Sequence, residues 1–222
     1  MKLALFDLDH TLLPLDSDHS WGVFTTEMGW TDPAVFGQRN DEFYAHYQAG
    51  TLDIHDYVRF ATCAARERGA AEAAQAHARY MDEVIRPRIT PQALALVRLH
   101  QLAGETVMIV TATNEFVTRP IAQAFGVSEL IAVDLERDAS GWITGEIRGT
   151  PSFREGKVIR VAHWLNQKGL GWGDVEMTFY SDSMNDLPLL EKAHHPVATN
   201  PDARLRQLAT ERGWRILELF QE

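Results

Sequence analysis

The sequence predicts an α/β fold in three layers, a parallel sheet with helices on both faces, interrupted by one all-helical module. Two observations carry that expectation. Short apolar runs alternate with helical patterns through most of the 222 residues, and strands alternating with helices form parallel sheets covered on both sides. The first apolar run, Lys2 to Phe6, is separated from the second, Thr106 to Val110, by about a hundred residues, whereas a strand–helix–strand crossover takes about thirty. The surplus reads as helices only. It divides the chain into a core of residues 1–14 and 89–222 and an inserted helical unit of residues 15–88. That insertion follows the carboxyl end of the first strand, the edge where open α/β sheets bind ligands, so it would sit as a cap.

Lys2 to Phe6 is a continuous apolar run, the pattern of a central parallel strand. Within the insertion, Trp21, Phe24 and Met28 recur at helical spacing after the start signals Ser17 and Asp18. Asp32-Pro33 reads as an N-cap with proline in the first turn of a second helix, which runs through Phe43 and Tyr47 to Gly50. Asp53 caps a third, with Ile54, Tyr57, Val58 and Ala61 on one face and Gly69 ending it. An alanine-rich fourth spans Ala70 to Ile85 and closes at Pro87. Trp21, Phe24 and Tyr57 are read as packing residues of this unit.

In the core, Pro91 to Leu102 is an amphipathic helix, Thr106 to Val110 a strand, and Glu115 to Phe125 a helix stopped by Gly126. Leu130 to Val133 is a strand, and Asp138-Ala-Ser-Gly141 lies between two alternating segments, which predicts a β-hairpin. Glu155 to Lys168 and Met184 to Ala193 read as helices flanking a strand over Glu176 to Tyr180. Strands at Pro196 to Thr199 and Trp214 to Leu219, with a helix from Pro201 to Glu211 between them, complete the alternation.

Composition narrows the function classes. A formal charge of −10, with no Lys/Arg run, disfavours nucleic acid and anionic membrane as partners, since both require basic patches. Cys63 is the single cysteine, which excludes an intramolecular disulfide and a cysteine-based metal site. The first apolar run is broken at Asp7, too early for a signal peptide, and no stretch approaches a membrane span. A cytoplasmic location is the expectation; the oligomeric state is left open.

Residues following each parallel strand line one edge, so the strand ends read together. The first strand leads to Asp7, Asp9 and Thr11; alternation along an extended chain would turn both carboxylates to one side. The second ends in Thr111-Ala-Thr-Asn114, offering hydroxyls and backbone N–H groups at a helix start, an anion site. Lys157 opens a helix after Gly156, and Asp182, Asn185 and Asp186 follow the strand ending at Tyr180. Several carboxylates, one lysine and an anion nest suit a hard divalent cation and a phosphoryl group. Mg²⁺ prefers oxygen ligands, which Asp7, Asp182 and the carbonyl of Asp9 would supply.

The order D-x-D-x-T, strand-end Thr, Lys, then D-x-x-N-D resembles the haloacid dehalogenase superfamily of aspartate-nucleophile phosphatases, with a Rossmann-like core. The helical insertion resembles the type 1 cap of its phosphoserine phosphatase-like subgroup, subfamily IB. The resemblance implies that Asp7 attacks phosphorus and forms an aspartyl-phosphate, and that Asp9 protonates the leaving group and then activates water. It implies that Thr111 and Lys157 hold the phosphoryl group, that Asp182 ligates Mg²⁺ and that Asp186 supports the site. Thr11, Ala112 and Asn185 join the substrate-binding groups. Dehalogenases of the superfamily lack the second aspartate, so Asp9 favours phosphoryl transfer.

In the cap, Gly50 to Arg59 resembles the segment where phosphoserine phosphatases place an arginine for the substrate carboxylate, at Arg59 here, and Asp16 stands where those enzymes bind the substrate amine. Two departures oppose phosphoserine itself: Thr111-Ala-Thr replaces Ser-Gly-Gly, and Ser181-Asp-Ser183 replaces Gly-Asp-Gly. The expectation is a Mg²⁺-dependent phosphomonoesterase of a small, polar, phosphoserine-like metabolite. Histidinol phosphate, with an amine and no carboxylate, is the alternative substrate. A phosphotransferase or phosphomutase with the same chemistry comes next, and a non-catalytic binding protein last.

Overall fold

The computed structural model describes residues 1–220. Six parallel strands form the central sheet in the order β3-β2-β1-β6-β7-β8: β1 (Lys2–Phe6), β2 (Thr106–Asn114), β3 (Glu129–Val133), β6 (Glu176–Ser181), β7 (His195–Thr199) and β8 (Arg215–Leu217). The remaining strands, β4 (Leu135–Arg137) and β5 (Ile143–Ile147), make the antiparallel hairpin that the sequence predicts. β1 lies at the centre, Leu5 opposite Met108 on one side and Phe179 on the other.

Alternation along β1 sends Ala4 and Phe6 to one face and Leu3 and Leu5 to the other. The first face packs on α6 (Pro91–Leu102) and α7 (Glu115–Ala124) through Val97, Val117 and Ile121. The second packs on α8 (Glu155–Gln167) and α10 (Ala203–Arg212) through Val161, Leu165, Leu205 and Ala209. Both faces are buried, which accounts for the continuous apolar run in β1.

Between β1 and α6 lie α1 (Ser17–Glu27), α2 (Gln38–Ala49), α3 (Ile54–Ala61), α4 (Cys63–Arg68) and α5 (Ala70–Tyr80), with no strand. The sequence predicts four helices here, and two details differ. The third divides at Thr62, whose hydroxyl and N–H both donate to the Val58 carbonyl, at 2.7 and 3.1 Å; a hydroxyl bonded back in this way bends a helix. The first is capped by Asp16 rather than opened by Ser17 and Asp18, since Asp16 Oδ1 accepts from the N–H groups of Asp18 and His19. The second begins as a π-helical turn, Pro33–Gly37, with Asp32 accepting from Ala34 N–H at 2.8 Å. It ends at Gly50, whose φ of 71° is the left-handed conformation glycine adopts freely.

In the core, β2 runs four residues past the expected end at Val110, and α9 (Leu187–Leu190) is shorter than the stretch Met184 to Ala193 suggested. The helical insertion also reaches across to the hairpin. Phe43, Leu52, Ile54 and Val58 form one apolar cluster with Val133, Leu135 and Ile143, so the insertion packs beside the edge of the sheet where β1, β2 and β6 end.

Candidate active site

Asp7 follows β1, and its N–H donates to the Tyr180 carbonyl at 2.9 Å. The chain then doubles back: the N–H groups of Leu12 and Leu13 both donate to the Leu8 carbonyl, and His10 takes a φ of 56°. This turn, rather than strand alternation, brings Asp9 and Thr11 to the same edge as Asp7.

Lys157 reaches that edge from the first turn of α8. Its ammonium donates to Asp7 Oδ1 at 2.8 Å and to Asp186 Oδ2 at 2.7 Å, and Ser181 Oγ also donates to Asp186 Oδ2. All three charged groups are buried, none more than 3% exposed. Burial works against the Lys157 charge, but Asp186 and Asp7 outweigh it and hold the ammonium above its usual range. Burial also pushes Asp186 up to about 6, against the pull of Lys157. Gly156 fixes the approach: a Cβ there would stand 1.9 Å from the Pro151 carbonyl oxygen. Gly156→Ala is expected to destabilise the protein by about 1–3 kcal/mol, as overpacking against backbone does, read as a lower Tm with reduced activity.

Thr11 Oγ1 lies between Asp7 Oδ2 (3.4 Å) and Asp182 Oδ1 (3.2 Å) and accepts the Asp182 N–H. Burial, then the charges of Asp7 and Asp186, push Asp182 well above the carboxylate range. Asp9 is held from two sides, Oδ1 by the Ser17 N–H at 2.9 Å and Oδ2 by Thr113 Oγ1 at 2.8 Å. Burial first, then Asp16, raise its carboxyl well above the usual range, offset in part by Ser17. Thr111 is buried, its hydroxyl accepting from Thr113 N–H and its carbonyl from Ser152 Oγ. The helix after this strand starts at Glu115 as the sequence predicts, with Asn114 ending β2 and capping α7 by accepting from Phe116 and Val117.

One cavity joins these groups to the inserted helices. Asp7, Asp9, Asp16, Asp18, Thr111, Ala112 and Thr113 form its polar side, and Phe43, Tyr44, Tyr47, Leu52, Ile54 and Tyr57 close it from above. Among the described residues no Lys, Arg or His lines it. Its free volume is about 20 Å³, roughly room for one water, so a substrate enters only when the helices or the tyrosine side chains move. A much larger groove of about 990 Å³, lined by His100, Tyr180, Arg212 and Trp214 among others, contains none of the clustered carboxylates; shape alone would select it, but the charged chemistry is at the small cavity.

Other sequence-predicted residues take different places. Asn185 does not line the cavity; its side-chain amide donates to the Tyr47 carbonyl at 3.0 Å and ties the loop after β6 to α2. Arg59 is also outside it. Its guanidinium donates to Glu146 Oε1 on β5 and to Asp56 Oδ1, both at 2.8 Å, and its side chain is 47% exposed. It pins α3 to the hairpin.

Asp18, Thr113, Tyr44, Tyr47 and Tyr57 line the cavity without having been singled out by sequence. Tyr57, read as packing, faces Asp18. An acid in a first helical turn ordinarily answers the helix dipole from solvent, but Asp18 is 3% exposed and accepts from the Asn114 amide at 3.1 and 3.3 Å. Burial, then the charge of Asp16, push it up to about 7. A carboxyl raised in the folded state keeps its proton where the unfolded chain has lost it, so stability falls as pH rises from about 4 to about 7. Asp18→Asn mimics the protonated acid. It is expected to raise Tm at pH 8, by up to about 4 kcal/mol of stability for a shift of about three units, and to make little difference at pH 4; thermal melts at both pH values check this.

Residues 4–191 match the sequence model of haloacid dehalogenase-like hydrolases. The chain belongs to that family. Haloacid dehalogenase-like hydrolases similar to it include phosphatases. A histidinol-phosphatase of Neisseria meningitidis serogroup C is 42% identical over 217 residues, 97% of this chain and 98% of the relative. A phosphoserine phosphatase of Mycobacterium tuberculosis is 31% identical over 220 residues, 96% of this chain and 69% of the relative. Among solved structures, a protein of unknown function from Bordetella pertussis Tohama I is 50% identical and superposes with a TM-score of 0.93 over 99% of each chain. The family places this chain among hydrolases. Among the described residues no helix is long and apolar enough to cross a membrane.

Proposed function

We propose that the protein is a phosphomonoesterase that hydrolyses histidinol phosphate, or a close amine-bearing analogue, through a phosphoryl intermediate on Asp7. The observation that carries the substrate assignment is the cavity lining: four carboxylates and a set of aromatic rings, with no cationic side chain. A carboxylate-bearing substrate such as phosphoserine would need a cation there, and Arg59 is engaged with Glu146 and Asp56 instead. An ammonium beside Asp16 and a ring among Phe43, Tyr44 and Tyr57 would be complementary to that lining. The reading also agrees with the name of the Neisseria meningitidis relative, which aligns over nearly the full length of both chains.

In this reading residues 15–88 act as the cap over a catalytic core of residues 1–14 and 89–222. Asp7 Oδ2, on the side away from Lys157, attacks phosphorus as the ester oxygen leaves in line. Asp9, oriented by Ser17 and Thr113, gives that oxygen its proton; a carboxyl held above the usual range carries the proton an acid needs. The resulting carboxylate then takes a proton from water attacking the aspartyl-phosphate, which releases phosphate and restores Asp7. Thr111 and the Ala112 backbone hold phosphoryl oxygens, with Thr11 and Asn185 shaping the site, and Lys157 offsets the charge shared by Asp7, Asp186 and the phosphate.

Mg²⁺ fits this donor set. Among the described residues no three His, Cys, Asp or Glu side chains form a metal cage. Two carboxylates, Asp7 and Asp182, do meet across the Thr11 hydroxyl, and Lys157 is the only cation paired with either among the described residues. A hard divalent ion held by Asp7, Asp182 and the Asp9 carbonyl would offset the remaining charge. When bound it would neutralise phosphoryl oxygens as the ester bond breaks.

The test is phosphate release from histidinol phosphate, O-phosphoserine and a simple aryl phosphate, with Mg²⁺ and with chelator. The proposal expects histidinol phosphate to give the highest kcat/KM and chelation to abolish turnover. A preference for O-phosphoserine would overturn the substrate assignment.

A further inference from the structure

We propose that Asp18 is the residue that reads the ring of the substrate, accepting the N–H of an imidazole at the end of the cavity away from the phosphate. This rests on the histidinol phosphate reading and assigns its specificity to a particular side chain.

The lining has an order. Tyr47 stands in the field of Asp7, Asp182 and Asp186, the phosphoryl end. Tyr57 stands in that of Asp18, then Asp16 and Asp9. Asp16 Oδ1 accepts the Asp18 N–H at 3.0 Å, and the Ser17 N–H between these two residues holds Asp9, which puts Asp16 beside Asp18 on the way to the phosphoryl end. A phosphate at Asp7 and an ammonium at Asp16 leave Asp18 for whatever the substrate carries beyond its amine.

The surroundings of Asp18 suit a neutral or cationic N–H donor. Its carboxylate is buried, and the side chains that meet it are neutral: the Asn114 amide, itself fixed as the cap of α7 through its carbonyl oxygen, and the Tyr57 hydroxyl. The Asn114 side chain therefore presents only its amide N–H side to Asp18. A buried carboxylate with no cation beside it retains capacity to accept a further bond, and an unmet charge is unfavourable in such a place. Phe43 and Tyr57 pack against each other, 5.4 Å centre to centre, and both line the cavity, so together they make one apolar wall for a flat group. An imidazole satisfies both demands, a planar ring with an N–H in its edge; a phenyl ring satisfies only the first.

The experiment compares histidinol phosphate with phenylalaninol phosphate, which keeps the phosphate, the amine and a ring but lacks the ring N–H. At pH 8, above the value of about 7 to which burial raises Asp18, wild type is expected to favour histidinol phosphate by about 10–100-fold in kcat/KM, the value of one charge-assisted hydrogen bond. Asp18→Asn should lose at least about tenfold of that preference, expressed in KM rather than kcat, and Asp18→Leu should turn the preference toward the phenyl substrate. Circular dichroism and Tm of each variant separate altered recognition from altered folding. If wild type strongly prefers histidinol phosphate and both folded variants keep that ratio, Asp18 does not read the ring, and the substrate assignment stands without it. Equal turnover of the two substrates by wild type overturns the ring-reading role while leaving phosphatase activity in place. No turnover of histidinol phosphate at all removes the substrate assignment and this inference together.

Discussion

Asp7→Asn is expected to fold and to lose at least about 10⁴-fold in kcat, the scale seen when a covalent nucleophile is removed. The amide keeps the shape of the side chain and an oxygen for the Lys157 ammonium, which retains Asp186 in any case. An amide oxygen is a poor nucleophile toward phosphorus, so the first displacement fails while binding persists. Phosphate release measured beside Tm distinguishes this from unfolding. Asp9→Asn should behave differently, since loss of a general acid costs about 10²–10⁴-fold and least with a leaving group that needs no proton.

Lys157→Met has the second large effect, on stability as well as rate. The lysine is 1% exposed and bonded to two carboxylates that are nearly as deeply buried. Methionine fills similar space, but removing one partner of a buried ionic cluster costs about 3–5 kcal/mol because the remaining charges lose their compensation. The loss has a pH signature. Asp186 is already raised to about 6 with the lysine present, and without it the folded-state value rises further. A carboxyl raised in the folded state takes up its proton there before the unfolded chain does, so stability recovers as pH falls through the folded value. The Tm deficit relative to wild type should therefore be larger at pH 8 than at pH 5. An equal deficit at both would mean that the lysine acts through packing alone.

The sheet was legible because its signals are local. β1 is apolar from Leu3 to Phe6, and β2 from Val107 to Val110. The hundred-residue gap between β1 and β2 requires an insertion. Asp7, Thr111 and Asp182 were also legible, since each sits at the carboxyl end of a strand whose place in the sheet constrains where it points. Asp9 and Thr11 instead reach the edge through a turn, and Lys157 through the start of α8. What local signals could not supply was contact between distant segments. Arg59 occupies a position in sequence that suggests a substrate carboxylate, yet Glu146, 87 residues away, holds it on the hairpin. Asp18 read only as a helix start signal, yet it is buried in the cavity, bonded by Asn114, 96 residues distant. The helix also divides at Thr62, whose hydroxyl bonds back to its own preceding turn, a choice that residue type permits but does not dictate. The sequence pattern thus reached the reaction more readily than the substrate, because the inserted helices form the roof through contacts that span the chain.

The steric course at phosphorus tests the mechanism most directly. A thiophosphate ester made chiral with oxygen isotopes, hydrolysed in isotopically labelled water, reports the number of displacements whether or not an intermediate accumulates. Attack by Asp7 followed by attack of water on the aspartyl-phosphate gives two inversions, so the account predicts net retention of configuration. Net inversion would mean that water attacks the substrate phosphorus in a single step, and Asp7 would not be the nucleophile.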